Sequence, residues 1–186
     1  MARVFITGSA DGLGRATAKT LLDAGHEVVV HVRNENRRRA VDDLVGRRAV
    51  VVGDLSSLDQ TRDIGRDVNQ LGPMDAVIHN AGVYSGPHVM PVNIVAPYLL
   101  TALIDRPKRL IYLSSGMHRS GRPDLAGTDL SGHRSGSYPT ASSSSRPSRP
   151  PLIASGRPWS ATPSTPAGCR RGWADPAPPT TCSSDT

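Results

Sequence analysis

Apolar residues along the first two-thirds of the chain fall into short runs separated by longer amphipathic stretches. Arg3–Thr7 reads as a brief apolar strand, and Leu13–Ala24 carries apolar residues at helical spacing before Gly25. His26–Val32, rich in β-branched residues, predicts a second strand, Arg37–Val45 a helix, and Arg48–Val52 a third strand. Leu58–Leu71 predicts a helix ending at Gly72-Pro73, followed by a fourth strand over Asp75–His79, a helix over Val92–Ile104 and a fifth strand over Arg109–Ser114. Strands that are apolar almost throughout and alternate with helices form a parallel sheet covered on both faces. The expected fold class is therefore α/β, with no internal repeat.

The pattern stops after Tyr138. Residues 139–186 hold ten of the 16 prolines, both tryptophans, both cysteines and ten serines. Prolines at 147, 150, 151, 158, 163 and 166 would interrupt any helix there. Such a segment buries too little apolar area to offset its ordering entropy, so a disordered tail is expected behind a folded domain over 1–138. A length of 186 residues is one domain's worth. No apolar run approaches the roughly 20 residues that cross a bilayer, and no membrane partner is expected. The opening Met1-Ala-Arg-Val-Phe-Ile-Thr-Gly turns polar too early for a secretory leader, and two cysteines make no disulfide framework; a cytoplasmic protein is expected. The six histidines are scattered without metal-ligand spacing, so no metal is expected. The net charge of +6 raises nucleic acid as a partner. Aromatic content of 4% and the concentration of the excess in the tail, five arginines against Asp175 and Asp185, argue against it.

Candidate chemistry sits in Thr7-Gly8-Ser9-Ala10-Asp11-Gly12-Leu13-Gly14, between the first strand and first helix. Glycines there let the chain turn tightly and bring backbone N–H groups against a pyrophosphate, to which the helix N-terminus adds partial positive charge. A purely structural turn is the alternative. The second strand ends Val30-His31-Val32-Arg33-Asn34, with no carboxylate before Glu35 to hold a ribose hydroxyl. Arg33, with Arg15 just inside the first helix, suits a 2′-phosphate, so NADP(H) is preferred and NAD(H) remains open. Alternatively, Arg33 and Arg37–Arg39 form a solvated face.

With Thr7-Gly8-x-x-x-Gly12-x-Gly14 in place, the chain resembles the short-chain dehydrogenase/reductase family, whose fold is a Rossmann-like doubly wound sheet. Asp54-Leu55 resembles the pair that contacts adenine, and Asn80-Ala81-Gly82 resembles the Asn-Ala-Gly segment beside the cofactor. Asn93 matches the helical catalytic asparagine, Ser115 the catalytic serine, and Tyr138, 23 residues later, the catalytic tyrosine. The resemblance covers residues 3–138 and implies hydride transfer between a nicotinamide and a carbonyl or alcohol carbon. It implies a tyrosine that moves the proton, a serine that positions the substrate oxygen and an asparagine that anchors a relaying water. The bland readings are that Ser115 caps a strand end and Tyr138 is an ordinary loop residue. Family members often pair subunits through the helix bearing the tyrosine, which implies a homo-oligomer; that helix is where this sequence departs.

Ser142 stands four residues after Tyr138, where the family has the lysine that lowers the tyrosine's pKa and holds the ribose. The chain has only Lys19 and Lys108, and the family's sixth and seventh strands have no visible counterpart. Impaired turnover is expected, together with an uncovered sheet edge and low stability. The alternatives are a non-catalytic dinucleotide-binding module or an inactive pseudogene product. Twenty arginines against two lysines point to GC-rich coding DNA, and a reading frame slipped next to the Tyr138 codon accounts for the departure. Codons rebuilt across the junctions from Pro139 to Ser143 permit Asp-Ser-Lys-Leu, and those from Ala161 to Ala174 permit a segment containing Asp-Pro-Gly, similar to the family's Pro-Gly segment. Sequencing the gene across the codons for residues 135–145 is expected to yield a lysine codon straddling Ala141 and Ser142 in the alternative frame; a frame that cannot encode it would dismiss the slip.

Overall fold

Strand β1 (Arg3–Ile6) gives the sheet its two faces, because alternation sends Phe5 to one side and Val4 and Ile6 to the other. Helix α1 (Gly12–Asp23) and strand β2 (Glu27–Val32) follow, then a 3-10 segment over Glu35–Val41 and strand β3 (Val50–Val52). Helix α2 (Leu58–Gln70), strand β4 (Ala76–His79), a π-helical turn over Pro91–Val95, helix α3 (Ala96–Leu103) and strand β5 (Arg109–Tyr112) complete the sheet region. The computed structural model describes residues 1–44, 50–120, 129–133 and Tyr138, all in one unit over Met1–Ser148. The tail expected over 139–186 lies outside the described residues.

All pairings are parallel, in the order β3-β2-β1-β4-β5. The chain order reverses between β1 and β4, which creates a crevice at the carboxyl ends of those two strands. On one face Phe5, Val29, Val51 and Val77 pack against Ile64 and Val68 of α2 and Leu100 of α3. On the other, Val4, Ile6, Val28, Val30 and Val32 pack against Ala18, Leu21 and Leu22 of α1. Two covered faces are what the uniformly apolar strands predict.

Two helices differ from expectation. The helix expected over Arg37–Val45 begins earlier and is a 3-10 segment, since the Asn34 side chain accepts the Arg37 N–H at 3.2 Å and caps it. The helix expected over Val92–Ile104 divides in two. Pro97 has no N–H for the Asn93 carbonyl four residues earlier, and the Ala96 N–H reaches back to Pro91 instead, the five-residue spacing of a π turn. Among the described residues β5 is a sheet edge, and Ile111 and Leu113 stand exposed along it.

Phe5 is fully buried at the centre of this sheet and is the chain's single phenylalanine. Phe5→Ala is expected to cost about 3–5 kcal/mol in urea unfolding. A loss below about 1 kcal/mol would mean that this core is not close-packed.

Candidate functional site

The crevice is closed at its base by a short-range clamp. Thr7 Oγ1 accepts the backbone N–H groups of Asn80 and Ala81, each at 3.0 Å. Asn80 Nδ2 donates in return to the carbonyls of Thr7 at 2.9 Å and Gly8 at 3.0 Å. Gly8 adopts φ +66°, a left-handed conformation that favours glycine. At Gly14 the requirement is space: a Cβ there would lie 2.3 Å from the Gly8 oxygen and 2.4 Å from Asn80 Nδ2. These glycines thus let α1 start directly against the turn.

Asp11 occupies the N-cap of α1, yet its carboxylate makes no cap and pairs with Arg37 instead. The first intrahelical bond runs from the Arg15 N–H to the Asp11 carbonyl at 3.1 Å. By helix geometry the amides of Gly12, Leu13 and Gly14 have no partner within the helix, and they border a cavity of about 700 Å³. First-turn amides and the aligned peptide dipoles make this an anion-binding end.

Most residues singled out for cofactor binding line this cavity. Gly8, Asp11, Gly12, Leu13 and Gly14 form one wall, Arg33, Asp54 and Leu55 a second, and Asn80, Ala81 and Gly82 a third. Thr7 and Ser9 are buried beneath it, Thr7 in the clamp and Ser9 donating its hydroxyl to the Ile6 carbonyl. Arg15 is not a lining residue; its guanidinium donates to the Ala40 carbonyl and to Asp43. Arg33 Nε donates to Asp54 Oδ2 at 2.8 Å. Burial pushes the Asp54 carboxyl up, but hydrogen bonds from the Ser56 N–H and hydroxyl and from Arg33 hold it below the usual carboxylate range.

Sequence reasoning missed several lining residues, Arg37 and His31 among them. Arg37 reaches the cavity from the 3-10 segment, and His31 from the end of β2. The signal for His31 was its position one residue before the end of the strand that pairs with β1. For Arg37 it was the shift of helix start that Asn34 imposes.

A second cavity, of about 340 Å³, adjoins the first across Leu13 and the segment Asn80–Val83. Asn93 and Tyr138 line it, with Tyr84, Tyr112 and Ser114. Ser115 is not a lining residue, and its hydroxyl accepts the Met117 N–H at 3.3 Å. Asn93 clamps the chain after β4, its amide accepting from the Val83 N–H and donating to the Val83 carbonyl, both at 2.8 Å. Tyr138 packs on Tyr84 with ring centroids 5.2 Å apart. The two lysines sit elsewhere, Lys19 paired with Asp23 and Lys108 with Asp75 beside the amino end of β4.

His79, at the carboxyl end of β4, also borders this cavity and stacks on Tyr112 at 4.8 Å. Thr101 Oγ1 donates to the Pro97 carbonyl at 2.7 Å, so it accepts from Tyr112 OH and from His79 Nε2–H. The ring's Nδ1 is then an unprotonated, buried acceptor without a partner among the described residues. Burial pushes His79 down to about 4.

Residues 2–104 match the family model described as short chain dehydrogenase. An uncharacterized oxidoreductase of Emericella nidulans is 45% identical over 139 residues, covering 67% of this chain and 54% of its own. A short-chain dehydrogenase of Penicillium rubens, chyC, is 41% identical over 135 residues, covering 67% and 52%. The chain thus spans about half the length of the curated relatives it matches. Among solved structures, a blue fluorescent protein from a metagenomic library in complex with NADPH superposes with a TM-score of 0.59 at 24% identity, over 77% of this chain and 64% of that one. That likeness is one of fold.

His79 carries a pH dependence. Its folded value lies below the unfolded one, so the unfolded state binds the proton first and stability falls as pH drops below about 6.5. From this group the fold is expected to lose about 2 kcal/mol between pH 7.5 and pH 5. Urea midpoints across that range should fall less steeply for His79→Asn than for the parent chain; equal slopes would refute the assignment.

Proposed function

Because the chain belongs to the short-chain dehydrogenase family, we propose that it binds a nicotinamide dinucleotide, NADP(H) in preference to NAD(H), in the larger cavity. The observation that carries this reading is the glycine turn with its uncapped helix: Gly14 leaves no room even for a methyl group, while the Gly12–Gly14 amides border the cavity. The dimensions and donor set fit a pyrophosphate. Arg33 and Arg37 supply guanidinium groups on the β2 side, where a 2′-phosphate would be recognised; Arg15, which does not line the cavity, is the less suitable of the expected pair. Asp54 and Leu55 border the adenine side, and Asn80, Ala81 and Gly82 the route toward the smaller cavity.

When bound, the nicotinamide supplies or accepts a hydride. The residues proposed to handle the proton and the substrate oxygen are Tyr138 and Asn93, with Ser115 or its neighbour Ser114, which borders the smaller cavity where Ser115 does not. The Asn93 carbonyl, denied an N–H by Pro97, is an acceptor for a relaying water. A carbonyl or alcohol substrate would sit against Tyr84, Tyr112 and Tyr138. A subunit pair is part of the reading, as are a cytoplasmic setting and the absence of nucleic-acid and membrane partners.

Turnover is proposed to be weak. Ser142 replaces the expected lysine, and both lysines of the chain are committed to carboxylates outside either cavity. That observation favours a second reading, a dinucleotide-binding module without catalysis. NADPH affinity measured beside turnover of a panel of aldehydes and ketones separates the two: binding with turnover abolished by Tyr138→Phe supports the enzyme, and binding alone supports the module. Arg33→Ala and Arg37→Ala should each weaken NADPH about tenfold while leaving NADH little changed. Equal losses for both coenzymes would remove the case for phosphate recognition.

A further inference from the structure

We infer that His31 is a positioning residue for the glycine turn, and that its neutral imidazole, accepting the Gly8 N–H, is what makes dinucleotide binding depend on pH. The inference rests on the dinucleotide reading and adds to it the residue that holds the turn from the β2 side.

Two hydrogen bonds fix the ring's protonation state. The Gly8 N–H can only donate, and it lies 3.0 Å from His31 Nδ1, so that nitrogen carries no proton. The Gly53 carbonyl can only accept, and it lies 2.8 Å from Nε2, so the proton is there. Both bonds hold only for the neutral ring. The backbone is tied in as well: the Ser9 N–H donates to the His31 carbonyl at 2.9 Å, and the His31 N–H donates to Ser9 Oγ at 3.3 Å. The His31 side chain thus joins the turn after β1 to the exit of β3. It is 3% exposed, and it shares the sheet face of Val29, two residues before it.

A second proton on Nδ1 would point at the Gly8 N–H from 3.0 Å, two donors with no acceptor between them. One of them must move. The ring is buried and the Gly8 carbonyl is held by Asn80, while the turn borders the cavity, so the displacement falls on the turn. Burial pushes the imidazole below its ordinary value, against the Gly53 carbonyl and the Asp54 charge. The charged and titratable groups around it, among the described residues, are Asp54 after β3, Arg33 on β2, Asp11 at the start of α1, Arg37 on the 3-10 segment, and His88 across the cavity. His88 is the other imidazole at this cavity and serves as the control.

The test uses ADP-ribose, which lacks both the titrating 2′-phosphate and the acid-labile dihydronicotinamide, in calorimetric titrations of the full chain from pH 7.5 to pH 5. Parent affinity is expected to fall as the pH drops through this range, and to fall faster toward its acid end. His31→Asn, which keeps an acceptor near the Nδ1 position, should bind at pH 7.5 within a few-fold of the parent and show a flat profile. His31→Leu, which fills the space without an acceptor, should bind about tenfold more weakly at every pH. A flat parent profile, an unchanged slope in His31→Asn, or a slope removed by His88→Gln would overturn the inference. Ring 15N shifts of the free chain at pH 7.5 supply a readout independent of ligand, and a proton on Nδ1 there would sink it as well. If the shifts show Nε2–H but neither ADP-ribose nor NADPH binds, it is the dinucleotide reading that fails, while the hold of His31 on the turn stands.

Discussion

The whole crevice depends on how closely α1 can approach the end of β1. That distance is set by the absence of a single carbon atom, since a Cβ at Gly14 would sit 2.3 Å from the Gly8 carbonyl oxygen. The gap admits Asn80 Nδ2, which satisfies the carbonyls of Thr7 and Gly8 that the turn would otherwise bury unpaired. Helix, turn and the end of β4 are therefore tied together, and the first turn of the helix borders the cavity.

A second constraint acts further along the chain. Pro97 interrupts the hydrogen-bond ladder one turn after Asn93, and the π turn that results re-aims the Asn93 side chain at the Val83 backbone. The loop leaving β4 is thereby held between two asparagines, Asn80 at its start and Asn93 beyond its end. The larger cavity borders the first asparagine and the smaller cavity borders both, so one loop joins the larger cavity to the side where Tyr138 lies.

Much of this was legible in the sequence, for reasons that are local. Runs such as Val28–Val30 are apolar on both faces and read as a central strand, and the Gly8, Gly12 and Gly14 spacing between a strand and a helix predicts the tight turn that is found. What was not legible depends on partners distant in sequence. Arg15 and Arg37 look equivalent as text, but Asp43 and the Ala40 carbonyl take the first, while the early helix start set by Asn34 brings the second to the cavity. His31 reads as one more residue of a β-branched run, and its role exists only because Gly8 and Gly53 lie on either side of it once the strands pair. Ser114 and Ser115 differ only in which way each faces after β5, a distinction that adjacency along the chain cannot carry.

Thr7 illustrates what such a clamp does to sequence drift. Its hydroxyl oxygen accepts two amides at once, and the residue is 2% exposed. Valine has the same outline and would enter the space without a clash, yet it would strand the Ala81 N–H and leave the Asn80 N–H only the Ile78 carbonyl at 3.0 Å; serine, smaller by a methyl, would keep both bonds to the hydroxyl. Neutral change at this position therefore runs along hydroxyl chemistry and not along shape, the reverse of what holds at Val4 and Ile6 a few residues earlier, where outline is all that matters.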